Sequence, residues 1–139
     1  ITDIGAADDI HPRNKKDVGE RLALAAQHYA EPAATAVWQS PRFNKMDIKR
    51  DKAYITLDNF GSEIEVRDKN RHVKGFAIAG KDRQFKWAQA LMENGKIVVW
   101  HPEIAEPVAV RYAWSANPAR ANLFNAEGMP VTPFRTDEW

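Results

Sequence analysis

The sequence predicts a mainly β protein: a C-terminal β-sandwich, jelly-roll-like, entered after one amphipathic helix. Three observations point there. Apolar residues recur at three- and four-residue spacing only up to about residue 30. Beyond that point they alternate with polar residues in short runs. Turn signals at Asp51, Asn59–Ser62, Asp68–Asn70 and Asn94-Gly95 cut the second part into several short strands, the pattern of a sandwich.

The elements follow in order. Ile1–Ile4 reads as a strand-like or loop entry, followed by small residues and acids. The spacing of Val18, Leu22, Ala25 or Ala26, and Tyr29 predicts a helix from about Asn14 to Ala30 with one apolar face. Asn14 suits the N-cap, and Asp17 suits the first-turn donors and the dipole. Gly19 costs such a helix about 1 kcal/mol relative to Ala, which a close backbone approach would explain. Glu31-Pro32 ends it, because proline disfavours α geometry in the residue before it.

Phe43, Met46 and Ile48, then Ile55 and Leu57, read as a hairpin turning at Arg50–Lys52. Ile64 and Val66 mark a short strand, and Val73–Ala79 a buried one. Phe85–Met92 reads as a strand against its helix-permitting propensity. Asn94-Gly95 is a strong hairpin signal before the strand Lys96–His101. Pro102–Pro107 is a loop and Val108–Trp114 a clear strand. The rest, with Asn117-Pro118 and Gly128, reads as an irregular extended tail. Arg111, inside a core strand, needs an acid partner, and Asp137 in the tail is the candidate.

Composition narrows the function classes. The chain has 139 residues, enough for an independent core. Twenty basic against 19 acidic residues leave a formal net charge of +1, which argues against a dedicated nucleic-acid binder. No cysteine is present, so disulfides and thiolate metal sites are excluded. No apolar run is long enough to span a bilayer.

The chemistry concentrates in Asp8-Asp9-Ile10-His11-Pro12. An acid three residues before a histidine can fold back in one tight turn, accept a hydrogen bond from one imidazole nitrogen and leave the other free as a base. Pro12 suits the first turn of the following helix. The block resembles the Asp-x-x-His-Pro block of the SGNH (GDSL-like) hydrolases. Asp3-Ile4-Gly5, Arg13–Leu22, Ala109–Trp114 and Pro133–Asp137 narrow the resemblance to the sialate O-acetylesterases, over nearly the whole chain.

The resemblance implies a Ser-His-Asp carbohydrate esterase that acts on O-acetylated sialic acid or a related acetylated sugar. It also implies secreted or periplasmic placement and no cofactor. Under it, residues 1–31 are the end of an SGNH α/β hydrolase domain and 32–139 a C-terminal β-sandwich domain. His11 would be the general base and Asp8 its orienting acid, with Asp9 as the alternative. The nucleophile is missing: Ser40, Ser62 and Ser115 lie in no Gly-Asp-Ser, Gly-Gln-Ser or G-x-S-x-G block. The expectation is therefore a C-terminal fragment, inactive alone, whose serine belongs to an N-terminal part. Lacking most of its sheet, the 1–31 segment is expected to be poorly ordered or to pack on a substitute surface.

A second class of function is a non-catalytic β-sandwich that binds glycan or stabilises the parent. Trp38, Trp87, Trp100, Trp114 and Trp139 are many for a small β domain, and exposed indoles can stack on sugars. Filling a core is their more ordinary role. Trp100-His101, at a strand end, is the pair expected to be exposed. His11, His28, His72 and His101 show no ligand spacing, so no metal site is expected.

Overall fold

A computed structural model describes residues 2–11, 13–31, 33 and 35–139. The expectations for Ile1, for Pro12 and for Pro32 fall on residues outside this set. Among the described residues one helix, α1 (Lys15–Ala30), precedes ten strands. Its N-cap is Asn14, whose side chain accepts from the Asp17 backbone N–H at 3.1 Å. At its end the Glu31 N–H donates to Gln27 O at 2.8 Å. No residue of α1 is buried. Leu22 is 65% exposed and Tyr29 74%, so the apolar stripe read from the sequence faces no sheet here. Gly19 has nothing within 4 Å of its would-be Cβ, so no close backbone approach explains it.

The strands form two four-stranded antiparallel sheets and a small third one. The first sheet runs β1 (Arg42–Lys49), β2 (Lys52–Asp58), β7 (Lys96–Trp100), β6 (Gln89–Glu93). The second runs β10 (Phe134–Arg135), β8 (Ala109–Tyr112), β4 (Phe76–Ala79), β5 (Phe85–Trp87). β3 (Ile64–Val66) pairs with β9 (Leu123–Asn125). Eight strands in two antiparallel layers make the expected β-sandwich.

The core is the alternating apolar set of both sheets. Ala53 and Ile55 of β2, Ala90 of β6, and Ile97 and Val99 of β7 meet Phe76 and Ile78 of β4 and Val110 and Tyr112 of β8. Phe134 brings the tail into this core, its ring stacked 4.9 Å from Phe43 and tilted against Tyr112 at 5.7 Å. The buried Tyr112 hydroxyl accepts the Leu123 N–H at 3.0 Å, joining the small sheet to the large one. Burial pushes the Tyr112 phenol strongly upward.

The β1–β2 and β6–β7 hairpins lie where the sequence predicts them. Asn94 (φ 48) and Gly95 (φ 73) supply the two positive φ values of a type I′ turn. Three expectations need correction. Val73 is buried but lies before β4, not in it. Phe85–Met92 is two strands in different sheets, broken at Ala88, whose N–H donates to Phe76 O at 3.0 Å. The tail is not wholly irregular: it adds β9 and β10, with Arg111 Nε and Nη2 donating to Asp137 at 2.9 and 2.6 Å.

Candidate functional site

The loop ahead of α1 is fastened at its root. Asp3 takes two hydrogen bonds from Arg21 of α1, Nη1–Oδ1 at 2.9 Å and Nη2–Oδ2 at 2.7 Å. Burial raises the Asp3 carboxyl, but the Arg21 hydrogen bond and charge outweigh it and hold it below its ordinary value of 3.8. The same Arg21 Nη2 reaches Gly128 O of the sandwich at 3.5 Å. Arg21 thus joins the loop, the helix and the β domain. An acid and an arginine 18 residues apart carry no short-range signal, and sequence reasoning missed the pair.

At the tip, Ala6 and Asp9 form an isolated antiparallel bridge, so the chain turns tightly at Ala7-Asp8. Asp9 Oδ1 accepts the His11 backbone N–H at 2.8 Å, an Asx-type turn. The same oxygen lies 3.4 Å from His11 Nδ1, ion-pair distance and long for a hydrogen bond. Asp8 is exposed and makes no hydrogen bond or ion pair among the described residues. The structure therefore brings Asp9 to His11 and leaves Asp8 in solvent.

The His11 side chain is 78% exposed, and Nε2 has no partner among the described residues. An imidazole with a carboxylate beside one nitrogen and the other open can take a proton from an alcohol brought to it. Among the described residues no serine hydroxyl is hydrogen-bonded to His11. Ser62 is buried, donates to Glu127 and accepts the Ala126 N–H at 3.2 Å, which is a structural role.

His28 and His101 serve structure. His28 stacks on Trp38 at 4.6 Å, at the C-terminal end of α1. His101 Nδ1 accepts the Glu103 N–H at 3.1 Å in a turn. Among the described residues no three His, Asp or Glu side chains gather as a metal site would require. Trp100 is not an exposed tryptophan: it is partly buried, with the Lys52 ammonium 5.3 Å from its ring. The exposed indoles are Trp87, Trp114 and Trp139.

A cleft of about 570 Å³ separates the N-terminal loop from the sandwich, lined by Thr2, Gly5 and Ala6 on one side and Trp114–Pro118 on the other. His11 stands outside it. Among the described residues no helix is long and apolar enough to cross a membrane.

No family model matches the chain. Individual proteins do. The mouse sialate O-acetylesterase is 29% identical over 134 residues, which cover 90% of this chain and 24% of that protein. The human sialate O-acetylesterase is 26% identical over 136 residues, covering 90% of this chain and 25% of that protein. The crystal structure of a carbohydrate acetylesterase from Xanthomonas citri matches 99% of this chain at 47% identity with a TM-score of 0.91, and the match covers 31% of that chain. The chain thus spans about a quarter of the length of the curated relatives it matches. By sequence and by fold, this chain is sialate O-acetylesterase-like: a helix and β-sandwich similar to one part of a carbohydrate acetylesterase.

Proposed function

We propose that this chain supplies the base and orienting acid of a carbohydrate O-acetylesterase, with the nucleophilic serine and the oxyanion donors contributed by polypeptide outside it. The observation that carries the reading is the pairing of His11 with Asp9 ahead of α1, with Nε2 open. In this scheme His11 takes the proton of the serine hydroxyl as its oxygen attacks the acetyl carbonyl. It returns that proton to the departing sugar oxygen. It then takes a proton from the water that attacks the acetyl-enzyme and passes it to the departing serine oxygen, which frees acetic acid and restores both groups. The orienting carboxylate stabilises the imidazolium formed twice in the cycle. Asp9 is favoured for that role by its distance to Nδ1, and Asp8 by the Asp-x-x-His spacing.

The same reading assigns residues 1–31 to the hydrolase domain and 32–139 to an attached β-sandwich domain. The exposed stripe of Leu22 and Tyr29 is then the face that meets the rest of that domain. The substrate class is an O-acetylated sialic acid or a related acetylated sugar, which places the enzyme in a secreted or periplasmic setting. The reading is tested by grafting. The 139-residue chain alone releases no acetate from an acetyl ester, whereas the Xanthomonas citri acetylesterase with its matching segment replaced by this chain does. Saturable acetate release by the chain alone overturns the assignment of the nucleophile.

A further inference from the structure

The exposed tryptophans are not scattered. Trp87 is 76% exposed and Trp114 is 52% exposed, and both line one cleft of about 680 Å³. That volume falls within the range of small-ligand sites. Trp87 ends β5 and Trp114 follows β8, and these two strands flank β4 on opposite sides. Between them lies Gly75, whose O accepts the Ala113 N–H at 2.9 Å. Gly75 has φ +96, and a Cβ there would come within 3.2 Å of the Ala121 backbone. Gly75 thus lets Ala121 pack closely between the strands, and the cleft has an indole on each side. Ala113 holds φ 50, a left-handed conformation that turns the chain out of the sheet just before Trp114.

Charge adds a second element. Lys74 and Arg120 line the Trp87–Trp114 cleft, and both also line an adjoining cleft together with Arg67. Among the described residues no acid lines either cleft. Lys74 is paired with Asp68 at 2.7 Å, while Arg120 has no ion pair among the described residues. Large exposed aromatic surface beside an unpaired cation is a feature of interaction sites.

We infer that the cleft between Trp87 and Trp114 binds an acidic glycan, its pyranose C–H face on the indoles and its carboxylate at Arg120. A sugar ring suits two separated flat apolar surfaces, and a guanidinium forks onto a carboxylate. A nucleic acid would also stack on indoles, but the formal net charge of +1 gives it little electrostatic hold. The inference rests on the indoles and cations, not on the esterase reading, and its test measures binding alone.

The test is a titration of the 15N-labelled chain, following the five indole N–H signals. The probes are 3′-sialyllactose, trigalacturonate, lactose and a thymidine oligonucleotide. Both acidic glycans shift the Trp87 and Trp114 signals and leave Trp38 and Trp100 in place. Trp87→Ala and Trp114→Ala each weaken acidic-glycan binding about ten-fold, with amide dispersion retained because both indoles are largely exposed. Arg120→Ala removes the preference for sialyllactose over lactose. An unchanged spectrum with every glycan, equal affinity of the wild-type chain for lactose and sialyllactose, or preferential binding of the oligonucleotide overturns the inference.

Discussion

The Arg111 guanidinium holds the buried Asp137 carboxylate through two hydrogen bonds, at 2.9 and 2.6 Å, and so ties the C-terminal tail to strand β8. Arg135 adds a longer contact to the same carboxylate at 3.8 Å. Arg111 itself packs its guanidinium 3.9 Å from the centre of the Phe85 ring. Removing the acid leaves the arginine half-buried without its partner. Asp137→Ala is expected to cost about 2–4 kcal/mol in urea unfolding, and a change below about 0.5 kcal/mol, the size of an ordinary surface substitution, contradicts the role.

The same pair sets an acid dependence. The Arg111 hydrogen bonds hold the Asp137 carboxyl below its ordinary value of 3.8. A carboxyl with a depressed folded value contributes stability that is full above its unfolded value and fades as pH falls through the folded one. Stability of the wild-type chain should therefore fall as pH drops below about 3.8. Asp137→Asn should be less stable at neutral pH and show a shallower loss in that acid window. Parallel curves for the two proteins would remove Asp137 from the explanation.

Tyr112 offers a test of the join between sheets. Its hydroxyl is the acceptor for the Leu123 N–H at 3.0 Å, inside the core. Tyr112→Phe keeps the ring and leaves that N–H without this partner, at a cost of about 1–3 kcal/mol. Hydrogen exchange should then speed up first in β3 and β9, the strands this bond connects to β8.

Asp3 and Arg21 give a local prediction. Asp3→Asn weakens the clamp on the N-terminal loop while touching nothing in the sandwich core. Amide exchange across residues 2–11 should accelerate, with the urea midpoint of the sandwich unchanged. A matching loss in both would mean that the loop and the β domain unfold as one unit.

Much of the fold is legible in the sequence, and the exceptions have physical causes. The helix, its Asn14 cap and the Asn94-Gly95 turn follow from local rules of spacing and turn chemistry, and the Arg111–Asp137 pair, though 26 residues apart, from the need of a charge inside a core strand for a partner. The split of Phe85–Met92 is recorded only as a slip in alternation. Phe85 and Trp87 keep one phase, and Ala90 and Met92 the other, which a change of sheet at Ala88 explains. β9 and β10 are three and two residues long, too short to show a period.

At the candidate site the residue types were legible and the geometry was not. Spacing favours Asp8, yet Asp9 is the carboxylate beside Nδ1. A two-residue Asx turn and a three-residue fold-back compete within one loop, and sequence alone does not rank them. The exposed tryptophans were likewise hidden, since whether an indole faces a core depends on which sheet its strand joins. In the grafted acetylesterase, Asp→Asn at the orienting position should lower kcat about 10⁴-fold, as loss of the correct tautomer does. The same change at the other aspartate should be nearly silent, and two silent variants contradict an acid-oriented base.

The most direct measurement is the steady-state rate of acetate release by that grafted enzyme with His11→Ala. The account predicts a fall in kcat of about 10⁴-fold or more, with the fold of the graft intact by circular dichroism. A well-folded His11→Ala graft that turns over acetyl ester at the unsubstituted rate would contradict it.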